Sequence, residues 1–404
     1  MDRHKESPQT YTKQGLNRLA AFYHSTLLDD VIPFWLEHGL DRKFGGFITA
    51  LGRDGSVIDS DKSVWFQGRA AWMFATLFNT IERQPEWLDA AESCIEFMRR
   101  RCFAPSGKMY FSVTRSGAPL RMRRYAFSDS FAAIGFAAWS VAAGDRHAIA
   151  DAARCFTTFL RHHHSPGLMS PKTEQAARPT KSLAPLMTTI ATAQELRALL
   201  GDISVEGATC SRWIDRAIGE IQHDFLKPRL KALLECVGPN GQFIDHADGR
   251  LLNPGHALQT AWLILREARL RDSEELETLG LTILDWMWER GWDKERGGIF
   301  CSCDVKGLPP LGFSHDMKFC WPHNEAINAT LLAYVMTHSA KYAQWHRLVH
   351  DWSFSHFADK MHGEWFGYLH RDGSVASQAK GSMWKGPFHL PRMLWYCGTL
   401  LGQR

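Results

Sequence analysis

One unit returns six times along this chain, and that recurrence constrains the fold more than any other feature. In the first copy, GGFITAL and GRDGSV read as two short extended pieces joined by a glycine turn. Trp65, Phe66, Gly68, Ala71, Trp72, Ala75, Leu77 and Phe78 then spell a helix that is apolar nearly all round, as expected of one buried on most sides. PEWLDAAESCIEFMRRR follows as an amphipathic helix, with acids early and arginines late to match the macrodipole. Further copies occupy residues 107–139, 178–200, 235–268, 295–335 and 363–401, and the first and sixth share the string RDGSV at 53–57 and 371–375. The matching anchors are Trp65, Phe127, Met187, His256, Trp321 and Trp384, spaced 62, 60, 69, 65 and 63 residues apart.

Six helix pairs at a near-constant period predict one repeat architecture over residues 1–404, with no linker to divide it. The helices that are apolar all round belong inside and their amphipathic partners outside. A closed ring of six inner and six outer helices, an all-α barrel with short β-hairpin loops on one face, leaves no end repeat uncapped. An open solenoid of the same pairs is the structural alternative. A net charge of +4 argues against nucleic acid as a partner, and no stretch is long and apolar enough to span a membrane. Nine scattered cysteines, an odd number, suggest reduced thiols, and the first twenty residues lack an apolar leader core, so the cytoplasm is the expected compartment. Neither the Cys301/Cys303 pair nor the His162–His164 run has zinc-site spacing, and no metal is expected.

In a ring all inner helices run the same way, so their N-terminal ends converge on one face, and the unusual residues sit there. The first unit offers Trp65, Gln67 and Arg69, the second Arg124, Ser128 and Asp129, and the third Lys181 and Ser182. The fourth offers Glu235, Arg250 and His256, the fifth Lys318, Trp321, His323 and Glu325, and the sixth Trp384, Lys385 and His389. Singly, each is more often a cap or a surface residue; placed on one face they describe a site. His389 enters a helix between Pro387 and Pro391, where the positive end of the macrodipole favours a neutral ring. No nucleophile elbow, phosphate-cradling loop or dinucleotide fingerprint is present. Aromatic plates with polar groups suit flat sugar faces. Two neutral imidazoles on opposite sides of a sugar could remove a proton from one face and return one to the other.

The motifs KSVWFQGR (62–69), RYAFSDSF (124–131), GRLLNPGHALQ (249–259), KFCWPHNEA (318–326) and WKGPFHLPRMLW (384–395) resemble the N-acylglucosamine 2-epimerase family across essentially the whole chain. The resemblance implies an (α/α)6 barrel, His256 and His389 as the acid/base pair, and Arg69 and Glu325 as groups contacting the sugar or its intermediate. Trp321, Trp384, Glu235 and Arg250 complete the substrate-binding candidates. It further implies interconversion of N-acetyl-D-glucosamine and N-acetyl-D-mannosamine at C2 through an enediolate, a homodimer, and ATP as an effector rather than a reactant. One departure is Gln259, which stands where the family's NPGHxxE motif carries a glutamate. The inner helix of the third unit lacks the extra histidine of the cellobiose epimerase and isomerase branches. Three rival readings are an aldose–ketose isomerase, a glycoside hydrolase using a carboxylate pair such as Asp129 or Glu235 with Glu325, and a non-catalytic binding protein.

Overall fold

The computed structural model describes residues 10–165, 167–168 and 179–402; the first nine residues of the stretch read for a leader, and Arg178 at the opening of the third unit, lie outside them. Twelve helices carry the architecture. In chain order they are α1 (Lys13–Ser25), α2 (Val64–Thr80), α3 (Pro85–Arg101), α4 (Phe127–Ala143), α5 (Arg146–His164), α6 (Leu183–Leu200), α7 (Cys210–Glu220), α8 (Pro254–Arg271), α9 (Glu274–Gly291), α10 (Cys320–Thr337), α11 (Ala340–His356) and α12 (His389–Gly402). Even-numbered helices form an inner ring and odd-numbered helices an outer one. Their burial follows their composition: nearly every residue of α2 from Val64 to Leu77 is buried, whereas α5 buries only a stripe of Ala148, Ala152, Cys155, Phe156, Phe159 and Leu160. The ring closes between α12 and α2, where Trp72 meets Phe388 and Trp395 edge-on at centroid distances of 5.4 and 5.8 Å.

In the sixth pair the inner helix begins at His389, as its flanking prolines indicate, with Trp384 in the preceding loop. The outer partner departs from the expectation: it is α1, contributed by the other end of the chain. The sequence around α1 hides this role, since the helix runs on through two π-type segments, Thr26–Val31 and Trp35–Gly39, that blur its period. Side-chain hydrogen bonds seat it: the Tyr23 hydroxyl lies 3.0 Å from His346 Nε2 and 2.9 Å from His350 Nδ1, and Trp35 Nε1 donates to Glu364 at 2.6 Å. The expected hairpin of the first unit forms, with Ala50–Leu51 paired to Val57–Asp59. Other extended pieces instead tie one unit to its neighbour: Lys62–Ser63 pairs with Ser112–Val113, Lys181–Ser182 with Cys236–Val237, and Lys318–Phe319 with Tyr368–Leu369.

The RDGSV strings belong to a clamp used three times. Asp41 binds Lys62 at 2.8 Å and Arg115 at 3.0 Å; Asp293 binds Lys318 at 3.0 Å and Arg371 at 2.8 Å; Asp359 binds Lys380 at 3.1 Å and Arg53 at 2.7 Å. In each, the aspartate follows an outer helix, a fully buried lysine precedes the next inner helix, and the arginine reaches across from the adjoining unit. Burial alone would raise the Asp41 carboxyl, but Arg115 and Lys62 pull it down to about 2. Replacing Asp359 by alanine strands a buried ammonium, so the Asp359→Ala protein should lose about 3–5 kcal/mol in urea unfolding. A loss below about 1 kcal/mol would show that the clamp contributes little.

Candidate active site

The inner-helix N-termini surround a cavity of about 570 Å³ whose mouth is walled by Trp65, Phe319, Trp321, Tyr368 and Trp384. Two close approaches shape it. Gly68 of α2 lies against the α4 backbone, where a Cβ would come within 2.5 Å of the Phe131 carbonyl carbon. Gly255 lies under Trp321, where a Cβ would meet the indole at 2.4 Å. The first brings Arg69 over Phe131; the second seats Trp321 beside the neighbouring His256. The Trp321 ring then lies near both histidines, 5.3 Å from the His256 centroid and 5.8 Å from that of His389.

Each histidine is held from behind by a carboxylate. His256 stands in the first turn of α8, where Pro254 opens the helix and Asn253 caps the His256 N–H at 3.1 Å. Its Nδ1 lies 3.0 Å from Glu235 Oε2. His389 Nδ1 lies 2.7 Å from Glu325 Oε1, and Glu325 also takes Trp262 Nε1 at 2.7 Å and the Arg392 guanidinium. Burial would raise the Glu325 carboxyl, yet Arg392 and His389 bring it down to about 2. An ionised carboxylate only accepts, so Nδ1 of His389 carries the proton and its Nε2 is left without one; the same geometry at Glu235 leaves Nε2 of His256 free of that contact.

The two rings nevertheless titrate apart. Burial pushes His389 down to about 4, with the Arg69 and Arg392 charges adding to it against the pull of Glu325. For His256 burial acts the same way, but the Glu235 carboxylate outweighs it and the ring is raised above its ordinary value. Of the two imidazoles expected to be neutral, His389 is held so, while the Glu235 carboxylate biases His256 toward its protonated form. His389 is neutral chiefly through burial rather than through its helix end.

Arg69 lines the cavity as expected, and among the described residues no carboxylate lies within ion-pair distance of it, the charge of Glu325 acting on it only from farther off. The guanidinium sits over Trp65, Phe131 and Phe388 at 4.8, 4.0 and 4.7 Å, donates to the Trp384 carbonyl at 3.4 Å, and leaves its buried Nε without a partner. Burial and the charge of Arg392 drive its pKa well below the ordinary value.

Several candidates move to other roles. Glu325, fully buried, and Glu235 stand behind the histidines outside the cavity lining: one oxygen of each faces an imidazole Nδ1, and the other accepts from Trp262 in Glu325 and from the Ser182 hydroxyl in Glu235. Glu235 also supplies the carboxylate that Gln259 does not; Gln259 itself faces the cavity one turn below His256. Arg250 is held by Asp304 at 2.9 Å and Asp245 at 3.3 Å, outside the cavity lining. His323 is structural, accepting the Ile299 N–H at 2.8 Å and stacking on Trp352. Lys181 pairs with Glu220 and Asp224, and Asp129 is buried beneath the Met109 N–H. The carboxylate pair a glycosidase needs is absent from the lining among the described residues, where Glu195 alone has an acid group. Trp262 and Arg392, which hold the Glu325 carboxylate from the cavity side, are groups the sequence reading missed. Arg392 follows His389 by three residues on a helix, a spacing that signals a shared face.

An (α/α)6 barrel whose mouth gathers two carboxylate-backed histidines of unlike proton affinity, an unmatched arginine and a ring of indoles defines a class: an enzyme that moves protons on a carbohydrate. The model of the N-acylglucosamine 2-epimerase (GlcNAc 2-epimerase) family matches residues 46–389, and the chain belongs to that family. It is 36% identical over 383 residues to N-acylglucosamine 2-epimerase of Bos taurus, covering 93% of this chain and 89% of that one. Among solved structures, cellobiose 2-epimerase from Bacillus thermoamylovorans superposes with a TM-score of 0.82 at 16% identity, covering 96% of this chain and all of that one. A D-mannose isomerase superposes with a TM-score of 0.76 at 18% identity, covering 94% and 97%. At such identities the superpositions speak for the fold. No described helix is long and apolar enough to cross a membrane.

Proposed function

We propose that this chain interconverts N-acetyl-D-glucosamine and N-acetyl-D-mannosamine by proton transfer at C2 of the open-chain sugar. The observation that carries the proposal is the pair of imidazoles flanking Trp321, each with Nδ1 on a carboxylate and with proton affinities pushed apart. His389 Nε2 takes the C2 proton, and the electron pair of the C2–H bond moves to the aldehyde oxygen. Because C2 carries nitrogen, the intermediate is an enolate rather than an enediolate, with its charge on O1. Arg69 is placed to hold that charge. His256 then delivers its Nε2 proton to the other face of C2, leaving His389 protonated and His256 neutral, ready for the reverse direction. Incubating N-acetylglucosamine with the enzyme in D2O should yield N-acetylmannosamine deuterated at C2; a ketose product by NMR would sink the reading. The family resemblance extends the proposal to a cytoplasmic homodimer stimulated by ATP. Sedimentation and turnover with and without ATP test those points.

The split in proton affinity also predicts a pH profile. The forward reaction needs His389 neutral and His256 protonated, so kcat/KM should be bell-shaped. Its acid limb should lie near 4 and its alkaline limb above the ordinary histidine value of about 6.5. Glu235→Gln removes the charge that raises His256, so the alkaline limb should move to lower pH while the acid limb stays. An unmoved alkaline limb would separate Glu235 from the titration.

A further inference from the structure

The cavity runs well past the reacting groups. On α8 it is lined by His256, Gln259, Trp262, Leu263 and Arg266, and the ten steps from first to last descend about 15 Å at 1.5 Å per residue. A parallel stripe on α6 consists of Ala184, Met187, Thr188, Ala191, Thr192 and Glu195. An open-chain hexose spans only about 6 Å from C1 to C6, given bonds of roughly 1.5 Å in a zigzag. A sugar whose C2 lies at the imidazoles therefore does not reach the floor.

The floor itself is chemically closed. Glu195 accepts Trp72 Nε1 at 3.0 Å on one oxygen and Arg266 at 2.6 Å on the other, so its charge is already matched. Above it the α6 wall is carbon and methyl-bearing hydroxyls, with alanines at 184 and 191 where larger side chains would fill the space. Protein interiors close-pack, so a barrel with no use for this volume would be expected to occupy it. A second sugar ring would find the floor's carboxylate and guanidinium already engaged, leaving the Gln259 amide and the Thr188, Thr192 and Tyr396 hydroxyls as its polar partners in a lining that is otherwise mostly carbon. A hydrocarbon chain needs no such partners.

We infer that this lower chamber receives the acyl chain of N-acylglucosamines whose acyl group is longer than acetyl, with Met187, Thr188 and Ala191 setting the length admitted. The inference rests on the reading of the site as an N-acylglucosamine 2-epimerase. With C2 placed at the imidazoles by the proposed mechanism, its nitrogen lies at their level, and the chain it bears can continue into the space below. A six-carbon acyl chain extends about 7 Å beyond that nitrogen by the same bond geometry.

The experiment compares N-acetyl-, N-butanoyl- and N-hexanoyl-glucosamine in wild type, Ala191→Trp and Ala191→Leu. In wild type, KM should fall along the series, by up to about fourfold for each methylene buried. The hexanoyl-to-acetyl ratio of kcat/KM should drop at least tenfold in Ala191→Trp, with a smaller drop in Ala191→Leu, which carries the test if the tryptophan variant does not fold. Turnover of the acetyl sugar without the hexanoyl one, or an unchanged ratio in the folded variants, overturns the inference. Calorimetry with N-hexanoyl-glucosaminitol, which has no aldehyde and cannot react, separates the two readings. Binding that Ala191→Trp weakens, with no sugar epimerised at all, overturns the epimerase and supports the chamber.

Discussion

His389→Ala should lose about 10²- to 10⁴-fold in the rate of interconversion, the usual contribution of a positioned acid or base, and His256→Ala should lose a similar factor. Their exchange patterns should differ. With one imidazole gone, the other still reaches C2 from its own side, so each variant should exchange the C2 proton of one epimer with solvent while failing to invert it. C2 exchange followed in D2O from both sugars reads this directly. Near-normal interconversion in either variant would leave a single base doing all the work. The carboxylates act one step back: Glu325→Gln leaves the His389 ring in place but removes the charge that fixes its Nδ1 proton.

Arg69→Met should show opposite effects on rate and stability. Loss of one donor at a developing oxyanion typically costs about 10²- to 10³-fold in kcat. The same guanidinium is an unmatched cation 9% exposed among three aromatic rings, with its Nε unpartnered, and methionine of similar volume removes that burial cost. Thermal unfolding of Arg69→Met should therefore have a higher midpoint than wild type. A fall in both rate and midpoint would mean that cation–π contact, rather than readiness for a negative intermediate, explains why the arginine is there.

Much of the architecture was legible because it repeats. Six anchors at near-constant spacing mark the inner helices, and their apolar character on every side places them inside. His256, His389, Arg69 and Trp321 were visible because they sit at helix entrances, which a ring must gather on one face. The division of labour between the acids was not. Glu235 and Glu325 are sequence neighbours of site motifs, but whether a carboxylate meets substrate or stands behind a histidine depends on side-chain reach across units. Arg250 was misplaced for the same reason, since Asp304 lies in the next unit. The opposite shifts of the two histidines depend on which charges surround each buried ring, and those charges come from four different helices or loops. The outer partner of α12 was invisible because it lies more than 350 residues upstream and its period is broken by π-type turns.

That distant pairing has a consequence for the order of assembly. During synthesis α1 leaves the ribosome first and α12 last among the described helices, so the face of α1 destined for α12 waits through the emergence of five helix pairs. A nascent barrel already carries His256, Glu235 and Arg69 but lacks His389, so on the proposed two-base mechanism it should not interconvert the epimers until its last helix docks against its first. Contacts of such long sequence separation form late and slowly. Inversion thus waits on closure of the ring, and a chain stalled a few dozen residues short would expose the unpaired face of α1 to chaperones or to another unfinished copy.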